Sequence, residues 1–520
     1  MVAETGSLPQ ARQLGLPWPL LLALMIAASL VLSLVVPPMG DSPWRLHVAG
    51  EAWAGRTVYA DVIEVNPPLW FWAAIPAVAL AQLTGLTAYG VLMGLCHLAV
   101  AGAVLVWDRL VDGLLDRRSR IAGGFALACA ALLLPVGEVG QRECAALVAA
   151  TLWIALAARR AQGLATDWRL ALIAAAFAAY GFALKHYFVL IPVLVELALI
   201  ARQRLAWRPI RPETVLLGTA ALAYGASVLA LTPTFLSSIV PLVGLSYDGF
   251  SPLARIAPAE AAAYLLALLA VVPWAVLMLA LSGERRGLVW GLAGAAVLFA
   301  LVVVLQMKGW RYHALAAQGA ALLALALAAA RQAGAPVRFR LALVASVAAF
   351  AALLVGQPLR AAASGTAVMP DPEVAAVLAE APTDSRVLIL DSAPENTFLH
   401  PQALGRQHWS RHYSLWMLAG LTGPDGAART DDPARTLALE QVLDEFRADL
   451  VCRPVDLILA REMPAGPGVQ GFRPVELLRA DPATDQLWRS QFRLVEAQGP
   501  WQLWERMAPR PADTVCPALR

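Results

Sequence analysis

Charge is scarce in this 520-residue chain: Asp, Glu, Lys and Arg make up 15% of it, against 59% hydrophobic residues and a mean hydropathy of +0.62. That balance excludes a disordered chain and an ordinary water-soluble globule, and it is the composition of a membrane protein. Lysine is nearly missing. Of 40 basic residues only Lys185 and Lys308 are lysines, so arginine is the default cation and the two exceptions draw notice. The net charge of +3 singles out no partner, and no nucleic-acid partner is expected. Cysteine is sparse as well: Cys96, Cys129 and Cys144 fall in apolar segments and read as buried hydrophobes. Neither CxxC nor HExxH occurs, which leaves zinc without a ligand pattern. His400, His408 and His412 therefore read as surface histidines. The absence of a Walker A motif, of a βαβ-borne GxGxxG and of GxSxG argues against an ATP-driven pump and a serine hydrolase. Charge inside the apolar runs is rare apart from Glu196, unlike the pattern of a proton-coupled transporter.

What the chain does have is apolar runs of membrane-crossing length. Eleven can be read, near 16–36, 87–107, 120–136, 144–158, 169–185, 187–201, 214–232, 261–281, 288–307, 313–330 and 341–358. The first is too long for a signal peptide and lacks a small-residue cleavage site, so an uncleaved helix is expected. The connecting loops fall into two sets by charge. Asp108–Arg120, Arg159–Arg169, Arg202–Arg211, Ser282–Gly287 and Arg331–Arg340 hold sixteen arginines, and by the positive-inside rule they face the cytoplasm. The alternate set, Pro37–Asn66, Gly137–Glu143, Lys185–His186, Pro233–Ala259 and Lys308–His313, holds seven cations and faces outward. This parity requires that the further apolar stretch Pro67–Leu83 not cross; it reads as an interfacial helix on the outer leaflet, started by Pro67-Pro68 and carrying Trp70 and Trp72. If it did cross, the whole topology would reverse.

The expected fold is thus an all-α polytopic membrane module over residues 1–359, with a first outer loop at 37–86, followed by a soluble outer α/β domain over 360–520. In that domain a short run Arg386–Leu390, a helix Leu437–Phe446, a run Asp456–Leu459 and a closing hairpin Phe492–Glu496 with Trp501–Glu505 can be read. The expected location is a bacterial inner membrane, with the N-terminus cytoplasmic and the C-terminal domain periplasmic. In that oxidising compartment Cys452 and Cys516 form a candidate disulfide.

The first outer loop is the densest polar segment among the spans. Ser42-Pro43 signals a helix start, running to about Ala54 and placing Asp41 at the membrane surface. A carboxylate held there, partly desolvated and near cations, can act as a general base toward a hydroxyl. Alternatively, Asp41 only caps the helix and pairs with Arg45. His47, Asp61 and Glu64 follow in the same loop as polar candidates. Three other helix ends put cations beside aromatic or histidine side chains: Gly140-Gln141-Arg142-Glu143, Lys185-His186-Tyr187 and Lys308-Gly309-Trp310-Arg311-Tyr312-His313. Lysine as a point charge and arginine as a fork both suit phosphate, so these loops could converge on the phosphate of a membrane-held lipid. Interfacial snorkelling with an aromatic belt is the plainer account of any one of them.

Asp41 shortly after the first span, then Gly55-Arg56-Thr57-Val58-Tyr59-Ala60-Asp61 and Asn66-Pro67-Pro68-Leu69-Trp70-Phe71-Trp72, resembles the first outer loop of the GT-C glycosyltransferases. The group it is most similar to is family 39-like, the protein O-mannosyltransferases and lipid A aminoarabinose transferases. Gly181-Phe182-Ala183-Leu184-Lys185 is similar to the lysine-bearing helix end of that group. The resemblance implies a multi-helix fold with juxtamembrane outer helices, a polyprenyl-phosphate-linked sugar donor and Asp41 as catalytic carboxylate. Protein mannosyltransferases carry an adjacent Asp-Glu pair where this chain has Asp41-Ser42, a departure from protein mannosylation specifically; Asp61, Glu64 or Glu143 could supply a second carboxylate. The activity expected on this basis is transfer of one sugar, with inversion, to a hydroxyl of a glycan, lipid or protein. Lys185, Lys308, Arg311 and Arg142 would hold the leaving phosphate, and His186, Tyr312 and His313 would contact phosphate or sugar. No cofactor is required, although Asp41, Asp61 and Glu64 could hold a divalent ion. The rival function is a transporter or flippase of lipid-linked glycans.

Overall fold

The computed structural model describes residues 17–36, 38, 41–249, 287–306, 311–331, 337–338, 371–422, 432–462 and 473–514. Expected spans 261–281 and 341–358, Lys308, Cys516 and the domain boundary at 359/360 lie outside these residues. The remaining nine apolar runs are helical: α1 (Trp18–Val35), α5 (Ala88–Leu110), α6 (Arg117–Ala128, continued by a wide turn Cys129–Leu133), α7 (Arg142–Ala161), α8 (Trp168–Ala183), α9 (Leu190–Gln203), α10 (Pro212–Leu231), α12 (Leu288–Gln306) and α13 (Leu315–Arg331). Among the described residues, five helical stretches are long and apolar enough to cross a membrane. Of their most apolar parts, those of α7 and of Arg311–Arg331 are 78% buried, whereas those of α1 and α10 are 17% and 6% buried. The first two form the centre of the bundle. The other two expose leucine and valine to their surroundings, which only a lipid solvent makes favourable.

Between α1 and α5 the first outer loop forms α2 (Ser42–Trp53), α3 (Leu69–Trp72) and α4 (Ile75–Thr84). Asp41, not Ser42, is the N-cap of α2, and it makes no side-chain cap bond; Pro43 takes up the first turn, where a missing N–H costs nothing. With ten residues, α4 is about 15 Å long, half the hydrocarbon thickness of about 30 Å. At the start of α5, a Cβ added to Gly90 would meet Leu34, near the end of α1, at 3.8 Å. Residues 67–84 therefore connect the neighbouring ends of α1 and α5.

The arginine-rich loops are tied together at the other end. Arg120 pairs with Asp108 at 2.8 Å, Arg159 donates to the Leu110 carbonyl at 3.1 Å, and Arg160 and Arg211 share Glu213 at 2.9 and 3.3 Å. Glu196 pairs with Arg211 at 2.5 Å in the same network, which explains the lone acid of that apolar run. The segment expected as a plain loop from Pro233 is instead helical, a wide turn Phe235–Ile239 leading into α11 (Val240–Gly249).

Beyond residue 370 lie α14 (Pro372–Glu380), α15 (Trp416–Leu421), α16 (Pro433–Cys452), α17 (Pro474–Arg479) and α18 (Pro482–Gln491) around one mixed sheet. Its strands β1 (Val387–Leu390), β2 (Leu457–Arg461), β3 (Phe492–Gln498) and β4 (Trp501–Arg506) run in the order β1-β2-β4-β3. The β1–β2 pair is parallel and the other two are antiparallel, with a bulge between Leu494 and Glu496. Cys452 is disulfide-bonded. His412, expected at the surface, is buried at 1% exposure and lies 2.7 Å from Glu445; His408 is half-buried.

This part is docked on the first outer loop. A buried Arg411–Asp449 pair at 2.8 Å holds a segment whose Arg411 carbonyl accepts the Ile63 N–H at 2.7 Å. Tyr413 stacks on Trp44 and Trp416 on Tyr247, each with centroids 4.8 Å apart. Such aromatic contacts bury large area with defined geometry.

Candidate active site

Three stretches distant in sequence meet at the end of the bundle opposite the arginine network: the start of α2, the Glu64–Trp70 segment and the start of α7. Gly140 makes the last of these approachable. Its φ of +92°, a conformation that side chains rarely adopt, turns the chain into α7. Gly181 does the same for α8, because a Cβ there would stand 2.6 Å from the Ala145 carbonyl oxygen. The resulting close packing of α8 on α7 sets Lys185 beside Glu143.

Asp41 pairs with Arg142, whose Nη2 lies 2.7 Å from Oδ2. It does not pair with Arg45, the i,i+4 neighbour. Arg45 instead donates through Nε to the Trp70 carbonyl at 2.6 Å and lies over the Trp70 ring at 4.2 Å. Arg142 also approaches that ring, at 4.8 Å, so the indole is flanked by two guanidinium groups. The second arm of Arg142 donates to Asn66 Oδ1. Asn66 in turn donates to Glu64 Oε1 from its backbone N–H at 2.7 Å and from Nδ2 at 2.6 Å. A continuous chain thus runs Glu64, Asn66, Arg142, Asp41. Tyr59, held at φ +75°, braces the chain by donating its hydroxyl to the Asn66 carbonyl at 2.8 Å. Glu64 is fully buried, and burial pushes its carboxyl up to about 7 despite the Asn66 donors and the Arg142 charge.

The next residues of α7 and its neighbours continue the cluster. Lys185 donates to Glu143 at 2.5 Å and has the Tyr312 ring 5.6 Å away. Arg311, beginning the turn Arg311–Ala314 before α13, contacts Glu138 at 3.0 Å and donates to the Leu134 carbonyl at 2.9 Å. His313 is buried, with its ring centroid 4.4 Å from that of Tyr312. Among the sequence candidates, then, Asp41, Arg142, Glu64, Glu143, Lys185, Arg311, Tyr312 and His313 are brought together. His186 is exposed and packs its ring on Tyr187 at 4.9 Å.

Two candidates belong elsewhere. His47 and Asp61 line a separate cavity of about 740 Å³ between the first outer loop and the C-terminal part, with Arg56, His408, Trp409 and Arg453. Burial drives His47 down to about 3 and His408 to about 4, so both imidazoles are neutral at physiological pH. Of the residues considered for a divalent ion, Asp61 accepts the Thr57 N–H at 2.9 Å in that other region. Among the described residues no three His, Cys, Asp or Glu side chains converge as metal ligands. Sequence reasoning missed Arg45, Asn66, Trp70 and Glu138 as parts of the site. Only the NPP-x-W spacing after Glu64 carried a signal for two of them.

No family model and no curated protein matches the chain. Solved structures do. Arabinofuranosyltransferase AftD from Mycobacteria is 17% identical with a TM-score of 0.43, the match covering 94% of this chain and 42% of that one. An Archaeoglobus fulgidus oligosaccharyltransferase is 12% identical with a TM-score of 0.43, over 85% and 67% of the two chains. ArnT from Cupriavidus metallidurans, in a structure bound to undecaprenyl phosphate, is 13% identical with a TM-score of 0.38, over 95% and 98%. Each of these likenesses has a TM-score below 0.5 and an identity of 17% or less.

Proposed function

We propose that this chain is a membrane glycosyltransferase that moves one sugar from a polyprenyl-phosphate donor to an acceptor hydroxyl at the outer face of a bacterial inner membrane. The observation that carries this is the placement of Asp41: a partly exposed carboxylate joined to Arg142 in one cluster with Lys185 and Arg311, at a single end of the bundle. Arg142 holds Oδ2, and Oδ1 has no hydrogen-bond partner among the described residues, so it is open to an acceptor. Asp41 takes the hydroxyl proton as the acceptor oxygen attacks the anomeric carbon. The bond from that carbon to the phosphate oxygen breaks on the opposite face, so the configuration inverts. The departing phosphate carries its charge toward Arg142, Lys185 and Arg311, with Lys308 as a further cation, where positive groups are worth most because water is excluded. His186, Tyr312 and His313 are hydrogen-bonding candidates for phosphate or sugar. The N-terminus lies in the cytoplasm, and the C-terminal part, periplasmic, covers Trp44 and positions the acceptor, a glycan, lipid or protein.

The test is Asp41→Asn. Asparagine still accepts from Arg142, so folding and binding of undecaprenyl phosphate should persist while transfer falls by about 10²–10⁴, the range of general-base loss. Near-normal transfer would remove Asp41 from the mechanism and favour a transporter or flippase of lipid-linked glycans.

A further inference from the structure

The cavity of about 740 Å³ between the first outer loop and the C-terminal part has the size of a ligand pocket, for which about 300–1,000 Å³ is usual. Its two sides are tied together. Arg453 donates to the Asp61 carbonyl at 3.2 Å, Cys452 is disulfide-bonded, and Arg406 is fixed by the Leu378, Ala381 and Pro382 carbonyls beyond α14 at 2.5–2.7 Å. Within these walls four polar side chains have nothing to bond. His47, Gln402, Gln407 and Trp409 all line the cavity, and their side chains make no hydrogen bond among the described residues.

The chemistry of the walls selects among ligands. Arg56, Arg406 and Arg453 stand with Glu51, Asp61 and Asp513, so neither sign of charge dominates. Arg56 already pairs with Glu51 at 3.6 Å, and Asp513 with Arg386. An acyl chain would desolvate these groups and the four unpartnered side chains without replacing a hydrogen bond. None of β1–β4 lines the cavity, so no strand edge is there to receive a peptide backbone. A neutral sugar does match. Each of its hydroxyls donates and accepts, as a glutamine amide and a neutral imidazole do, and its C–H faces pack on aromatic rings such as Trp409 and Phe398. The Arg386 guanidinium, 4.0 Å over the Trp409 ring, holds that indole in place.

We propose that this cavity binds a neutral oligosaccharide, with Trp409 as the stacking platform and His47, Gln402 and Gln407 as partners for its hydroxyls. In the glycosyltransferase reading above, on which this role rests, the oligosaccharide is the acceptor, held by sugar units remote from the reacting hydroxyl. His47 lies six residues past Asp41 on α2, about 9 Å along the helix, with the buried Trp44 on the turn between them. Contacts that far from the reacting atoms act on acceptor affinity and leave the chemical step alone.

The experiment exposes the full-length protein in detergent to an array of neutral oligosaccharides of hexoses and pentoses, with oligogalacturonate and an uncharged peptide alongside. Wild type, Trp409→Ala, Gln407→Ala and Asp41→Asn are compared. The wild type should retain neutral oligosaccharides over both controls. Trp409→Ala should weaken their binding by about tenfold, the worth of one aromatic contact. Gln407 is exposed, so its loss does not endanger the fold; Gln407→Ala should weaken binding by about three- to tenfold, the worth of one hydrogen bond. Asp41→Asn should bind as the wild type does. A wild type that retains no neutral oligosaccharide, or prefers oligogalacturonate or the peptide, overturns the proposal, and so does binding that neither cavity variant weakens. Those results leave Asp41 and the donor site untouched. Conversely, the expected pattern in a folded protein that binds no undecaprenyl phosphate upholds the cavity and removes the glycosyltransferase reading.

Discussion

Glu64→Gln tests whether the chain of hydrogen bonds behind Asp41 is as buried as its geometry indicates. In the folded protein the Glu64 carboxyl is pushed from its ordinary 4.5 up to about 7, chiefly by burial. An unfolded Glu64 releases its proton near 4.5, so between 4.5 and 7 the folded state binds more protons than the unfolded one. Unfolding free energy must then fall with rising pH across that window and level off above it. At about 1.4 kcal/mol per pH unit, the full interval is worth about 3 kcal/mol. Glutamine mimics the protonated acid, accepting from Asn66 without a charge to desolvate. Wild type and variant should therefore be about equally stable near pH 4.5, with the variant gaining as pH rises, by up to about 3 kcal/mol at pH 8. Thermal unfolding of both proteins in one detergent, followed by tryptophan fluorescence from pH 4.5 to 8.5, reads the difference directly. A stability difference that stays constant across the series would refute the buried, proton-holding Glu64.

Two further outcomes follow from the packing. Asp449→Leu leaves Arg411 buried without its partner and should cost about 3–5 kcal/mol, whereas Asp449→Leu with Arg411→Met should recover much of it; a double variant no better than the single, in the same unfolding assay, would mean that the pair is not the buried unit described. Gly181→Ala forces a methyl to within 2.6 Å of the Ala145 carbonyl, so it should lower stability by about 1–3 kcal/mol and weaken undecaprenyl phosphate binding through a displaced Lys185. Wild-type values for both would show that α8 has room to move.

The motif around Asn66-Pro67-Pro68 and the exceptional Lys185 pointed to the end of the bundle where Asp41 meets Arg142 because they are local features: loop composition, helix ends and hydrophobic runs are written along the chain. Partner choice is not. Spacing offered Asp41 an obvious partner in Arg45, one helical turn away, yet the structure gives Asp41 to Arg142, 101 residues on, and Arg45 to Trp70. Glu138 was passed over because a single acid in a short loop has no signature until Arg311, from a helix far down the chain, is set against it. His412 read as a surface residue because nothing in its neighbourhood announces Glu445 across the fold.

By itself, then, the sequence determined the membrane character, the helical runs and the charge-sorted loops, all of which depend on transfer of side chains between water and lipid and on local backbone preference. The tertiary structure alone decided which carboxylate answers which cation, and it separated His47 and Asp61 from the Asp41 cluster. Those outcomes turn on distances of a few ångströms between segments joined only by packing, and electrostatic energy in a buried site changes steeply over such distances.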